Sequence, residues 1–141
     1  MSTPIPTVVL GGTGYVAGEL LRLVAGHPHL TLAAVMSDSK PGEPVAGAFP
    51  HLVSAYPDAV FQSQAEVEKL LVETPRTAVF SAAPHGVSAA LIDSLLKATA
   101  AAGTRPRVVD ISADFRYSSA QAYETVYKHP HGAPGRIAEF T

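Results

Sequence analysis

A glycine-rich turn between an apolar run and a helical segment constrains the fold more than any other feature of this sequence. The run Val8-Val9-Leu10 is followed by Gly-Gly-Thr-Gly-Tyr-Val-Ala at residues 11–17. In this arrangement the first glycine permits a tight turn, and a later one lets a ligand approach the backbone. Backbone amides and a helix N-terminus would then meet a pyrophosphate, so the turn predicts dinucleotide binding, with a purely structural turn as the alternative. The candidate contacts are Gly11, Thr13, Gly14, Tyr15 and Val16.

Short apolar runs recur along the chain with helical patterns between them. The runs are Val8–Leu10, Leu30–Val35, Ala78–Phe80 and Val108–Ile111, and each is typical of a buried parallel strand. Right-handed crossovers place helices on both faces of such a sheet. We therefore predict an α/β fold with a doubly wound, Rossmann-like parallel sheet, forming one dinucleotide-binding domain over residues 1–141, with no closing element visible at the carboxyl end.

Three helices are predicted between these strands. In the first, Val16, Leu20, Leu23 and Val24 would form the buried face and Thr13 the N-terminal cap. A weaker helix is expected over residues 65–73. The third, over residues 87–101, has an apolar stripe and should end at Gly103, before Pro106. The members of the stripe are Val87, Leu91, Ile92, Leu95 and Leu96.

Two segments lack a helical or strand period. Prolines and glycines should break any helix over residues 37–60, leaving a long connection with one short strand at Ala59–Gln62. This connection is either an exposed crossover or a cover for the adenosine end of a cofactor. A short polar helix after Ser118 should run through Tyr127 and lead into an irregular segment at residues 129–135.

Composition excludes several classes of function. The chain is 47% hydrophobic and 16% charged, which is typical of a globular protein. Its net charge of −2, without a basic run, argues against nucleic-acid or membrane partners. No apolar stretch approaches the ~20 residues of a membrane span, and the first residues do not resemble a secretory signal, so a cytoplasmic location is expected. The six histidines lack helical ligand spacing, so no metal site is predicted.

The segment after the second predicted strand should recognise the ribose of the cofactor. Hydroxyls at Ser37 and Ser39, together with the Lys40 ammonium, would hold a 2′-phosphate and favour NADP. Asp38 lies among them and would instead favour the ribose diol of NAD, if its side chain faced the ribose. We expect NADP, while Lys40 in a solvated turn is the alternative.

Two further loops leave the same edge of the predicted sheet. Small residues at Ala82 and Ala83, followed by Pro84, would let a nicotinamide or ribose lie against the backbone. His85 is interpreted as a solvated residue rather than an acid or base. In the last loop, Ser112 and Arg116 are candidate substrate contacts, because a guanidinium pairs well with carboxylates and phosphates. Pairing of Arg116 with Asp114 within the loop is the alternative.

Taken in order, these segments resemble the N-acetyl-gamma-glutamyl-phosphate reductase family of arginine biosynthesis, with aspartate-semialdehyde dehydrogenases as more distant kin. The strings Pro-His-Gly-Val-Ser at 84–88 and Ser-Ala-Asp-Phe-Arg at 112–116 are the specific ones. The resemblance spans residues 8–134. The family usually has an arginine where Asp38 stands here.

The resemblance implies an NADP-dependent acyl-phosphate reductase that is a homo-oligomer. In the family, a cysteine of the following domain attacks the acyl phosphate, and hydride from NADPH then releases the semialdehyde. This chain contains no cysteine, so no catalytic residue is expected in it, and the catalytic and dimerisation domain is expected to lie beyond residue 141.

Two other classes of function compete with this interpretation. An extended short-chain reductase has a similar glycine loop but needs Tyr-x-x-x-Lys, and no lysine of this chain has a tyrosine four residues before it. A non-enzymatic NADP-binding module would lack a nucleophile by nature. A Gly-Cys turn a few tens of residues downstream in the gene would favour the reductase.

Overall fold

A computed structural model describes residues 2–141 of the chain. Five parallel strands form one sheet in the order β3-β2-β1-β4-β5. This order confirms the doubly wound α/β prediction, since the chain moves outward from β1 in both directions. The strands are β1 (Ile5–Leu10), β2 (Leu30–Met36), β3 (Phe61–Gln62), β4 (Ala78–Ser81) and β5 (Arg107–Asp110).

The predicted helices are confirmed within a few residues of their expected ends. Helix α3 (Gln64–Glu73) begins with a reciprocal cap, because Ser63 Oγ accepts from the Glu66 amide and the Glu66 carboxylate accepts from the Ser63 amide at 2.7 Å. Helix α4 (Ser88–Ala102) ends at Gly103, whose φ of 79° lies in the left-handed region. The long helices are α1 (Tyr15–Ala25), α3 (Gln64–Glu73), α4 (Ser88–Ala102) and α5 (Ala120–Tyr127).

Two apolar cores lie on opposite faces of the sheet. One core joins the sheet to α3 and α4 through Val67, Leu71, Ile92 and Leu95. The other joins it to α1, and its members are Val9, Ala17, Leu21, Val35, Val45, Phe49, Leu52 and Phe61. Covering both faces explains why the strands are almost continuously apolar.

The predicted buried face of α1 is wrong in part. Val16 and Leu23 are 49% and 53% exposed, while Ala17, Leu21 and Val24 are buried. The small Ala17 belongs to the core on this face of the sheet, whereas the two larger side chains lie outside it. Thr13 does not cap α1, because Gly14 is the N-cap and no side chain caps it. Val87 likewise precedes α4 and is half exposed, not part of its buried stripe.

The prediction that prolines and glycines break any helix over residues 37–60 is wrong, and this connection is not simply an exposed crossover. It contains α2 (Val45–Ala48) and a 3-10 helix at Pro50–Leu52. Val45, Phe49 and Leu52 are buried against α1, and Tyr56 donates from its hydroxyl to the Leu21 carbonyl at 2.8 Å. This segment therefore supplies part of the second core, while the short strand predicted after it is confirmed at Phe61–Gln62.

On the α1 face, the sheet is less covered at β4 and β5. Val109 and Ile111, at the end of the sheet, are exposed, whereas Val9 and Val35 are fully buried. Among residues 2–141, no helix has the length and hydropathy that a membrane span requires.

Candidate functional site

Four loops leave the carboxyl edge of the sheet, after β1, β2, β4 and β5, and main-chain hydrogen bonds to a neighbouring strand fix where those after β1, β4 and β5 begin. The Gly12 amide donates to the Met36 carbonyl at 2.8 Å, and the Ala82 amide donates to the Leu10 carbonyl at 2.9 Å. The Ile111 amide donates to the Ser81 carbonyl at 3.0 Å. Since ligands of open α/β sheets bind at this edge, the predicted site residues lie where a cofactor would be expected.

Gly11 and Gly12 are required by close packing between these loops. Gly11 has a φ of +73°, and a Cβ there would lie 2.6 Å from the Ala83 nitrogen. A Cβ on Gly12 would lie 2.6 Å from Val35 Cγ1. The tight turn predicted at Gly11 is confirmed, and the same glycine brings the first loop into contact with the loop after β4.

Gly14 has a different environment, and its side-chain position faces open space. Its backbone is extended, with φ −83° and ψ 169°, and a Cβ built there meets no atom within 4 Å. Because no side chain caps α1, the first amides of the helix keep their hydrogen-bonding capacity. Tyr15 is 98% exposed and Val16 half exposed, so neither covers this end of the helix. The space and the donors both fit a pyrophosphate.

A Gly11→Ala substitution should destabilise the fold. Its methyl group would collide with the backbone of Ala82 and Ala83, and an L side chain is strained at a φ of +73°. We expect a loss of about 2–4 kcal/mol in the free energy of unfolding, measured by urea denaturation. Gly26→Ala is the control, since a Cβ at Gly26 meets nothing within 4 Å and its φ is −95°. Equal stability of the two variants would contradict the packing role of Gly11.

The loop after β2 exposes only some of its predicted ribose contacts. Ser37 is buried, and its Oγ accepts from the Lys40 amide at 3.2 Å and lies 3.3 Å from Ser39 Oγ. Asp38, Ser39 and Lys40 are exposed. Lys40 Nζ lies 3.8 Å from a carboxylate oxygen of Glu43, an exposed pair that contributes little to stability. Ser37 therefore holds the turn, whereas Ser39 and Lys40 are accessible to a ligand.

The loop after β4 begins against the glycine turn and then becomes exposed. Ala83 is buried beside Gly11, Ala82 is half-buried and Pro84 is exposed. His85 is exposed, with its ring centroid 4.9 Å from that of Tyr127. The structure thus brings Gly11, Ala82 and Ala83 together, while Pro84 and His85 are exposed.

Serine and aspartate side chains link the loops after β4 and β5. Ser81 Oγ lies 2.7 Å from Ser88 Oγ, which donates to Asp110 Oδ1 at 2.8 Å. Ser112 Oγ donates to Asp110 Oδ2 at 2.8 Å and accepts from the Asp114 amide at 3.1 Å. The Ser112 hydroxyl is therefore already engaged within the chain.

Asp114 does not pair with Arg116, so the alternative of an internal ion pair is wrong. The Asp114 carboxylate is buried and accepts from the Gly86 and Ala89 amides and from the Tyr123 hydroxyl. Arg116 is exposed, and within residues 2–141 it forms no salt bridge. Its guanidinium is accessible to an anionic ligand.

Sequence reasoning missed the links made by Ser88, Asp110 and Asp114. Ser88 and Asp114 belong to the two specific strings and Asp110 to a predicted strand, but the partners in these bonds are 22 to 28 positions apart in the chain. Only the contact between Asp110 and Ser112 had a local signal. The two residues are two positions apart at the end of a strand, which is the spacing of an Asx turn.

Comparison with known proteins gives matches over nearly the whole chain. Residues 7–139 match the family model described as semialdehyde dehydrogenase, NAD binding domain. An N-acetyl-gamma-glutamyl-phosphate reductase of Nitrosococcus oceani is 39% identical over 96% of this chain and 36% of its own length. One from Azotobacter vinelandii is 43% identical over 93% of this chain and 35% of its own length. The chain thus spans about a third of the length of these relatives.

Solved structures show the same fold at lower identity. An aspartate semialdehyde dehydrogenase with NADP from Candida albicans matches 84% of this chain and 32% of its own, with a TM-score of 0.66 and 23% identity. A short-chain dehydrogenase/reductase in complex with NADP from Veillonella parvula matches 96% of this chain and 62% of its own, with a TM-score of 0.55 and 16% identity.

Proposed function

The chain belongs to the family of semialdehyde dehydrogenase NAD-binding domains, and from that premise we propose that it is the NADP-binding part of an N-acetyl-gamma-glutamyl-phosphate reductase. That enzyme would reduce N-acetylglutamyl 5-phosphate to N-acetylglutamate 5-semialdehyde with NADPH in arginine biosynthesis. The identities of 39% and 43% to proteins of that name support the assignment. We further propose a cytoplasmic protein that is a homo-oligomer.

The open space at Gly14 is the observation that supports cofactor binding most directly. It lies at the uncapped N-terminus of α1, where amide donors and the helix dipole favour a bound pyrophosphate. Thr13, Tyr15 and Val16 are exposed around it. Gly11, by contrast, serves this site indirectly, by bringing Ala82 and Ala83 close to the turn.

The remaining contacts follow from the positions of the other loops. Ser39 and Lys40 would hold the 2′-phosphate, while Ser37 fixes the turn that presents them. Ala82, Ala83 and Pro84 would border the nicotinamide half, which supplies hydride when bound. Arg116 would bind an anionic group of the acyl-phosphate substrate, and Ser112 would hold the loop that carries Arg116.

Titration calorimetry with NADPH and NADH tests the proposal. We expect NADPH to bind more tightly, with a preference that weakens as salt is added, because Lys40 is an exposed charge. Lys40→Ala should reduce the preference about tenfold, as expected for loss of one charge-assisted contact. Lys69→Ala, an exposed lysine on α3, is the matched control and should leave the preference unchanged.

Two results would contradict parts of this proposal. Equal affinities for NADPH and NADH would assign the ribose contact to Asp38 and the diol of NAD. Absence of binding to either dinucleotide would contradict the cofactor site itself.

A further inference from the structure

The Asp114 carboxylate joins three segments of the chain at the end of the sheet. It is 1% exposed. Its Oδ1 accepts from the Gly86 amide at 2.8 Å and from the Tyr123 hydroxyl at 2.9 Å, while its Oδ2 accepts from the Ala89 amide at 2.9 Å. One side chain thus connects its own loop after β5 with three other segments, which are the loop after β4, the start of α4 and α5.

The backbone of Asp114 is held as firmly as its side chain. Its amide donates to Ser112 Oγ at 3.1 Å, and its carbonyl oxygen lies 2.5 Å from Nε2 of the buried His131. Burial, with the adjoining carboxylate, raises the pKa of Tyr123 to about 12, and the phenol donates its proton to that carboxylate in a hydrogen bond. The carboxylate consequently has a single orientation in which all its donors are satisfied.

Capping α4 would not by itself require a buried carboxylate. The N-cap position, Val87, has no side-chain cap, and a serine or asparagine there could bond the free amides. A buried ion costs free energy unless donors satisfy it, and no lysine, arginine or histidine within residues 2–141 forms a salt bridge with Asp114. Capping of α4 does not explain the bond from the Gly86 amide to the Asp114 carboxylate, because Gly86 lies outside the helix, in the loop after β4.

Gly86 ends the part of this loop that could move. The loop is fixed at its beginning, where Ala82 bonds β1 and Ala83 packs against Gly11. At its other end Gly86 has a φ of +83°, and a Cβ there would lie 3.0 Å from a ring carbon of His129. Between these two anchors lie Pro84 and His85, both exposed. The Pro84 carbonyl also accepts from the Val87 and Ser88 amides at 3.1 Å, so loss of the Asp114 anchor would leave this stretch held to the start of α4 but no longer to the loop after β5.

We propose that Asp114 is a positioning residue, which holds the loop over residues 82–87 in the orientation that the nicotinamide half of the cofactor requires. This inference rests on the proposed function, because it assumes that the dinucleotide lies across the glycine turn and this loop. Asp114 would affect the nicotinamide half alone, since the adenosine half lies toward β2, on the other side of β1.

The test compares two ligands in the same variants: NADP and adenosine 2′,5′-bisphosphate, which lacks the nicotinamide half. Asp114→Asn keeps the shape but replaces one acceptor by a donor facing an amide or hydroxyl. It should weaken NADP binding about tenfold while changing bisphosphate binding less than about twofold. Tyr123→Phe removes one of the three donors and should shift the affinity ratio in the same direction by a smaller factor.

A matched carboxylate variant separates positioning from stability. Asp93→Asn on α4 breaks the ion pairs that Asp93 forms with Lys97 of the same helix and with Arg136 near the carboxyl end, so it should lower stability without changing the ratio of the two affinities. Equal weakening of both ligands by Asp114→Asn, or no weakening, would overturn the inference. If that variant does not fold, an unchanged ratio in Tyr123→Phe overturns it. A wild-type chain that binds neither ligand would instead contradict the proposed function, and this inference with it.

Discussion

The Gly14→Val variant is expected to fold normally and to lose at least about a hundredfold in affinity for NADPH. A valine side chain would occupy the space in front of the first amides of α1, where the pyrophosphate is proposed to lie. The fold should tolerate it, because the Gly14 backbone is extended and a Cβ meets no atom within 4 Å. Calorimetric titration measures the affinity, and thermal unfolding checks the fold.

Gly26→Val, at the other end of the same helix, is the control for this experiment. Gly26 also has open space around a built Cβ and a negative φ, but it lies at the amino edge of the sheet, away from the four loops. The affinity of the Gly26→Val variant for NADPH should equal that of the wild type. Unchanged affinity in a folded Gly14→Val variant would remove the glycine turn from the site.

The second large effect concerns catalysis: the chain is expected to bind NADP and yet show no phosphate-dependent oxidation of N-acetylglutamate semialdehyde. The proposed reaction needs a thiol nucleophile, and none of the 141 residues is a cysteine. Serine is a poor substitute, since the Ser112 hydroxyl donates to Asp110 and a carboxylate is a weak base for a hydroxyl. Absorbance of NADPH measures turnover.

Joining the chain to the remaining part of the Azotobacter vinelandii reductase should give activity that iodoacetamide abolishes. This chain covers 35% of that relative, so the remainder is where a thiol is expected. Turnover by the 141-residue chain alone, resistant to iodoacetamide, would show that the proposed mechanism is wrong.

The order of strands and helices was predictable from the sequence because the pattern is local. The strands β1, β2, β4 and β5 each contain a short apolar run, and in β1 and β2 these runs are the parts buried between the two cores. The end of α4 was equally predictable, since Gly103 can adopt the left-handed conformation that terminates a helix.

Packing of the helices was less predictable, because it depends on which neighbours are present. Val16 and Leu23 are apolar but exposed, while the small Ala17 lies at the contact with the sheet. A helical period is recognised from large apolar side chains, whereas close packing of a helix against a sheet can favour small ones. In the connection before β3, Val45, Phe49 and Leu52 have the spacing i, i+4, i+7, a helical signal that the surrounding prolines concealed.

The candidate site likewise has one part that was predictable from the sequence and one part that was not. The glycine turn was predictable because its chemistry lies in consecutive residues. The interactions of Asp114 were not, since Gly86, Ala89 and Tyr123 are up to 28 positions away and only the fold brings them together. The sequence left open whether Arg116 pairs with Asp114 or is available to a ligand, and burial of the carboxylate among other donors leaves the arginine exposed.

The loop after β2 has one further consequence, for how such a domain can change over evolution. Its path is set by main-chain bonds, from the Ser37 amide to Gln62 at 3.0 Å and from the Gly42 amide to Phe61 at 2.7 Å. Asp38 and Ser39 project from this frame into solvent and contribute little to the core. Substitutions at these two positions should therefore cost the fold little, so the ribose contacts proposed for this loop could change without compensating changes elsewhere.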